Sequence, residues 1–248
     1  MSFAEGFKNI LELSLPEGEG TLKDVIIDCL RECQRNSQKI ERSRISEGPV
    51  RAAIGFICGR SGRWPYVYNE AMKFLKGKNP MDLLTKRELN SLLNNIYRKK
   101  GAGYRNAQKK ITQFLTALKD LDRKLKQWHK SERLDKFEHE FERILEEKAK
   151  IGRKGIENII RDCGYMKRIP IDIHEQRFLV RTGIFHKYSS LKRADPTKYD
   201  HLAEALRRFC EEELKEIKLN GIILSDAPSV VDFIIWYFSQ EKQSRKLV

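Results

Sequence analysis

Two residues in this 248-residue chain, Lys154 and Asp172, are of types that together could break a bond to a carbon atom. Lys154 follows Gly152 and Arg153 at the predicted start of a helix, where the helix dipole and the Arg153 charge favour the neutral amine. A neutral lysine amine can attack carbon and form a Schiff base. Asp172 precedes an apolar helical segment, so its carboxylate can cap helix amides and remain ionised. Such a carboxylate can stabilise positive charge and accept a proton from the amine.

Each of these residues also has a plainer interpretation. Lys154 could be an ordinary solvated lysine, and Asp172 could be a helix cap, a role that is compatible with catalysis. His174 would either pack in the first turn of the helix or orient Asp172. Arg177 and Arg181 lie one helical turn apart, which favours ion pairs or phosphate contacts over a part in the chemistry.

The segment that contains Lys154, residues 151–156, is a short glycine-bearing turn between a charged helix and a second helix. Gly152 permits close approach of another backbone, and the amides that begin the second helix can bind a phosphate. The alternative is a simple helix end and turn.

The residues after this turn make the pattern more specific. Pro170-Ile171-Asp172-Ile173-His174 places its aspartate eighteen positions after Lys154, and Arg177 and Arg181-Thr182 come next. Residues 151–183 therefore resemble the helix–hairpin–helix (HhH-GPD) DNA glycosylase superfamily, endonuclease III-like and 8-oxoguanine DNA glycosylase-like. The family's first hairpin glycine falls at Lys150 here. Outside this stretch the similarity is limited to helical pattern and to Gly101-Ala102-Gly103-Tyr104-Arg105, which resembles a loop of the 8-oxoguanine branch.

The resemblance implies a base-excision-repair enzyme with abasic-site lyase activity. Lys154 would displace a damaged base at C1′, and the resulting imine would allow β-elimination, with Asp172 assisting. The substrate could be 8-oxoguanine or an oxidised pyrimidine such as 5-hydroxymethyluracil. The family's iron–sulfur branch ends in four closely spaced cysteines, and none follow Cys210, so no cluster, metal or other cofactor is expected.

Two other functions are compatible with the same residues. In a monofunctional glycosylase, Asp172 would activate water and Lys154 would contact phosphate. In a non-enzymatic module, the hairpin would only recognise DNA structure.

The expected partner is double-stranded DNA with a damaged base or an abasic site, bound by a monomer. Arg60 or Arg63 could fill the space that an extruded base leaves, while Trp64, Tyr66 and Tyr68 could face the pocket or pack in the core. The spacing of the aromatic residues in Phe233–Phe238 favours packing in the core, although one of the rings could stack on the extruded base. The residues predicted to contact DNA are Arg60, Arg63, Lys99, Lys100, Tyr104, Arg105, Gly152, Arg153 and Gly155.

Composition supports a polyanionic partner. There are 49 Lys and Arg against 35 Asp and Glu, a net charge of +14 and a pI near 9.5. The apolar content of 40% excludes wholesale disorder. No segment predicts a membrane span or a secretory signal, and five scattered cysteines favour a reducing compartment, so we expect an intracellular protein of the cytoplasm, nucleoid or nucleus.

Apolar residues recur at three- and four-residue steps almost throughout, and no segment alternates as a strand would. The sequence therefore predicts an all-α protein. It would have two interleaved lobes with a cleft between them: a middle bundle at 46–166 that ends in the helix–hairpin–helix, and a second lobe of 1–45 and 167–248. The predicted helices are 21–40, 49–58, 66–75, 86–97, 104–128, two helices within 118–150, 154–162, 172–183, 199–217 and 228–240.

Overall fold

A computed structural model describes residues 3–15, 20–60, 66–190 and 194–244. About 74% of the chain is helical, and the described residues contain twelve α-helices and one two-stranded sheet, so the predicted all-α class is confirmed. None of the helices described combines the length and the apolar character that crossing a membrane requires. The chain divides into two compact units, unit 1 (Met1–Cys33 and Met166–Val248) and unit 2 (Gln34–Tyr165).

Unit 2 is a helical bundle with its own apolar core. Phe114, Phe137 and Phe141 lie at its centre, fully buried. Two ring pairs join them, Phe114 with Phe141 at 6.4 Å and Phe137 with Phe141 at 5.1 Å between centroids. The helices that lie wholly within unit 2 are α3 (Glu47–Arg60), α4 (Tyr66–Leu75), α5 (Lys86–Ile96), α6 (Ala102–Gln127), α7 (Arg133–Glu147) and α8 (Arg153–Asp162).

Unit 1 is assembled from both ends of the chain around a second core. Phe7, Tyr188 and Phe209 are buried there, and Phe209 packs edge-on against Tyr188. α2 begins in this unit and continues into unit 2. The helices are α1 (Phe3–Leu11), α2 (Leu22–Glu41), α9 (Ile173–Arg181), α10 (Ile184–Tyr188), α11 (Tyr199–Glu213) and α12 (Pro228–Ser244).

Three elements of unit 1 depart from the sequence prediction. α1 and α10 are not among the predicted helices, and the expectation of no strand is wrong. β1 (Lys218–Leu219) pairs antiparallel with β2 (Ile222–Ile223). Asn220 and Gly221 connect them with φ values of 48° and 81°, the turn that an Asn-Gly pair favours in a hairpin.

Candidate functional site

The turn between α7 and α8 is closed by backbone hydrogen bonds. The Ala149 amide donates to the Ile144 carbonyl (3.2 Å), and the Ile151 amide donates to the Leu145 carbonyl (3.1 Å). Lys150 has a φ of 55°, the left-handed conformation that glycine adopts without strain. The position where the resemblance places a glycine therefore has the backbone conformation of one, although a lysine occupies it.

α8 approaches α3 closely at Gly155. A Cβ atom added there would lie 2.6 Å from Cγ2 of Ile151 and 3.3 Å from the ring of Phe56. Gly155 is buried and lets the two helices pack closely, while its predicted contact with DNA stays a prediction. The apolar side chains that α8 buries are those of Ile156, Ile159 and Ile160.

Lys154 lies in the first turn of α8 with its side chain exposed. Gly152 is the residue that precedes the helix, and it too is exposed. Arg153 places its Nε 4.0 Å from Oε1 of Glu157, a weak ion pair along the helix. Lys154 thus belongs to the first turn of a helix, where the backbone amides form the positive end and an anion can bind.

Three cations lie in or near this turn, and we call them the turn cations: Lys150 in the turn itself, Arg60 on α3 and Lys110 on α6. A Cβ added at Gly152 would lie 3.5 Å from a guanidinium nitrogen of Arg60, the exposed last residue of α3. Partial burial and the positive charges of Arg60 and Lys150 lower the pKa of Lys110. Mutual repulsion of this kind makes a site favourable for an anion such as phosphate.

A second basic segment connects α5 to α6. Lys99, Lys100 and Arg105 are exposed, and Arg105 donates to the Lys100 carbonyl (3.1 Å). Tyr104 is only 4% exposed, and its hydroxyl group donates to Oδ1 of Asn90 (3.1 Å). Its side chain therefore belongs to the core of unit 2 and not to the predicted DNA-binding surface.

The segment after α3 is only partly described. Arg63 and Trp64 lie outside the described residues. Tyr66, the first residue of α4, is 61% exposed, whereas Tyr68 packs edge-on against Phe56 with 5.4 Å between ring centroids. Of the two tyrosines, Tyr66 is the one that can stack on a ligand.

In unit 1, Asp172 precedes α9 and forms a capping box with Glu175. Oδ1 of Asp172 accepts the His174 amide (2.6 Å), its carboxylate also accepts the Glu175 amide, and the Asp172 amide donates to Oε2 of Glu175 (2.7 Å). The hydroxyl group of Tyr199 on α11 donates to the Ile169 carbonyl and accepts a hydrogen bond from the Ile171 amide. These two bonds hold the backbone that directly precedes Asp172. Asp172 itself is half-buried.

Two further carboxyl groups adjoin Asp172 in the interior. Glu175 is 1% exposed, and Asp232, on α12, is 3% exposed. Burial, a hydrogen bond with the Asp172 side chain, and the charges of Asp232 and Asp172 raise the pKa of Glu175 to about 10. Neither residue is among those predicted from the sequence, although Asp172-x-x-Glu175 is a capping-box pattern and Asp232 stands alone in an apolar helix.

The remaining predicted residues of unit 1 lie on α9 and α12. His174 is half-buried and contributes its backbone amide to Asp172, while Arg177 and Arg181 are exposed on α9. On α12, the rings of Phe233 and Trp236 are nearly parallel with 6.4 Å between centroids, and both are half-buried. Among the described residues, no group of three or more His, Cys, Asp or Glu side chains is arranged to hold a metal ion.

Comparison of the chain with protein-family models, curated proteins and solved structures gave no match. Lys154 belongs to unit 2 and Asp172 to unit 1. A function for this chain must therefore be inferred from the chemistry of the residues themselves.

Proposed function

We propose that the protein is a DNA glycosylase with abasic-site lyase activity, and that α7, its turn and α8 are a helix–hairpin–helix. The observation that carries the proposal is the position of Lys154. Its exposed side chain stands in the first turn of α8, which begins after Gly152, and Arg60, Lys110 and Lys150 place positive charge near the same turn.

In the proposed reaction, Nζ of Lys154 attacks C1′ of the damaged nucleotide. The C1′–N bond to lysine forms as the glycosidic bond breaks, and the base leaves with its bonding electrons and takes up a proton. Asp172 stabilises the positive charge on the sugar and accepts a proton from the amine. The sugar ring opens to an imine, loss of a C2′ proton expels the 3′ phosphate, and water then releases the lysine.

The damaged nucleotide must be rotated out of the DNA duplex before the lysine amine can reach its C1′ atom. The α7–α8 turn and the turn cations would bind the backbone on either side of the lesion without reading its sequence. Lys99, Lys100 and Arg105 would extend that contact, and Phe233 or Trp236 would stack on the extruded base. We propose that the protein acts as a monomer inside the cell, on DNA that contains a damaged base or an abasic site.

A panel of duplexes, each with one lesion, tests this function and identifies the substrate. The panel contains 8-oxoguanine, 5-hydroxymethyluracil, an abasic site and undamaged DNA, and base release and strand cleavage are measured separately. We expect release and cleavage on at least one lesion and cleavage at the abasic site. Binding without release or cleavage on any duplex would instead indicate a DNA-structure-binding protein, and the enzyme proposal would fail.

A further inference from the structure

The two carboxyl oxygens of Glu175 differ in their hydrogen bonding. Its Oε2 accepts the backbone amide of Asp172 at 2.7 Å. Its Oε1 is buried and receives no hydrogen bond from any residue in the described part of the chain. An ionised carboxylate with a buried oxygen that lacks a donor is strongly disfavoured, whereas a protonated one can use that oxygen as a donor itself.

Two other carboxyl groups, those of Asp172 and Asp232, act on the carboxyl group of Glu175. The Asp172 side chain is within hydrogen-bonding reach, and the Asp232 charge acts on Glu175 from α12. Three carboxyl groups that share a largely buried site cannot all be ionised near neutral pH. The charged groups that act on Glu175 are Asp172, directly before α9, and Asp232 on α12. Other titratable groups on the described parts of the elements packed around it include His174 on α9, Arg207 and Cys210 on α11 near Asp232, and the exposed His186 and Lys187 on α10.

We infer that Glu175 is a positioning residue that works in its uncharged form, fixing Asp172 through the reciprocal cap and leaving the negative charge of the pair on Asp172. The inference rests on the proposed function, in which Asp172 acts at the sugar. The proton on Glu175 gives Oε1 a hydrogen to donate to a neighbouring carboxylate, so the buried oxygen is satisfied. Protonation of Glu175 would thus avoid a second negative charge beside Asp172 and form a hydrogen bond to a neighbouring carboxylate instead.

Substitution by glutamine separates this role from that of an ionised carboxylate. Glu175→Gln keeps an acceptor for the Asp172 amide and a donor in place of the proton, whereas Glu175→Ala removes both. In single-turnover cleavage of an abasic duplex at pH 7, we expect Glu175→Ala to be slowed about tenfold or more, and Glu175→Gln to recover to within about threefold of wild type. The DNA dissociation constant should be the same for all three proteins. Equal impairment of Gln and Ala, or no impairment of Ala, would overturn the inference.

Thermal unfolding gives a readout that requires no activity and no alanine variant. A carboxyl group with a raised pKa holds a proton in the folded state that the unfolded chain releases, so it destabilises the protein increasingly as the pH rises between about 4.5 and about 10. Glutamine does not titrate. The melting temperature of Glu175→Gln minus that of wild type should therefore grow from pH 5 to pH 9, by about 3 °C or more. A difference that does not change with pH would contradict a protonated Glu175.

The two experiments distinguish failure of this inference from failure of the proposed function. Wild-type protein that neither releases a base nor cleaves abasic DNA would refute the proposed function, and with it the positioning role. Active wild type with a Gln variant as slow as the Ala variant would refute only the role of Glu175.

Discussion

The guanidinium group of Arg60 at the end of α3 lies beside Gly152 at the start of α8, with 3.5 Å between a guanidinium nitrogen and the position of a Cβ at residue 152. A cation is therefore held next to the helix amides by an element that is distant in sequence. Partial burial and the positive charges of Arg60 and Lys150 lower the pKa of Lys110 on α6. Two packed helices and a turn thus concentrate charge where the proposal places a DNA phosphate.

Arg60→Gln and Lys110→Gln should each weaken binding to duplex DNA, because each removes a cation that binds phosphate. The slope of log affinity against log salt concentration should become shallower by about 0.9 for each phosphate that is no longer neutralised. Fluorescence anisotropy of labelled duplex DNA over a series of salt concentrations measures this slope. Lys215→Gln serves as a control, since Lys215 is exposed and belongs neither to the turn cations nor to the basic segment between α5 and α6. An unchanged slope in both variants would remove the turn cations from the interface.

Gly155→Ala should destabilise the protein by about 1–3 kcal/mol because the added methyl group would overlap Ile151 and press on Phe56. The branched Ile151 side chain is buried and has little freedom to move away. Gly152→Ala is the matched control. Its Cβ would meet ordinary contact distances at a φ of −80°, so it should cost less than about 1 kcal/mol. Urea denaturation compares the two, and equal losses would show that the α3–α8 approach does not depend on glycine.

The regular helices are well predicted by the sequence, and the site only in part. The pattern predicts α4 at 66–75, and the helix is Tyr66–Leu75, because its apolar period and its flanking residues both mark it. α10 has only five residues and offers little periodicity, whereas α1 has nine residues with apolar Phe3, Phe7, Ile10 and Leu11 at helical spacing, a signal that the prediction did not use. The β1–β2 hairpin has a readable signal in Asn220-Gly221, which its two-residue strands are too short to reinforce.

Burial of polar side chains is the part that the sequence could not predict. Tyr104 sits in a stretch that resembles a DNA-contacting loop, yet packing against Tyr97 and a hydrogen bond to Asn90 place it inside unit 2. Glu175 and Asp232 are buried because α12 packs against α9, a contact between segments about fifty residues apart. Local pattern contains no information on which distant helix will cover a given face.

Lys150 gives a test of the hairpin backbone. Its φ of 55° is strained for a lysine, so Lys150→Gly should be more stable than Lys150→Gln by about 1 kcal/mol, since both lose the charge and only glycine relieves the strain. Chemical denaturation of the two variants measures the difference. If glycine proved the less stable substitution, residue 150 would not be in the left-handed region.

Asp172→Asn should reduce base release and strand cleavage by about a hundredfold or more while DNA affinity is kept. Asparagine caps a helix nearly as well as aspartate, so the free energy of unfolding should change by less than about 1 kcal/mol. Single-turnover kinetics and denaturation on the same preparation separate the two effects. Activity equal to wild type would show that Asp172 is a helix cap and nothing more.

Borohydride trapping on an abasic duplex tests most directly whether Lys154 is the nucleophile. The measurement compares wild type with Lys154→Gln and with Lys110→Gln, which removes a lysine charge from the turn cations instead, and each protein is used at a concentration that saturates the duplex. We predict a covalent adduct with wild type and with Lys110→Gln, and none with Lys154→Gln. An adduct of undiminished yield with Lys154→Gln would contradict the assignment, and absence of any adduct while wild type still releases a base would show that Asp172 activates water instead.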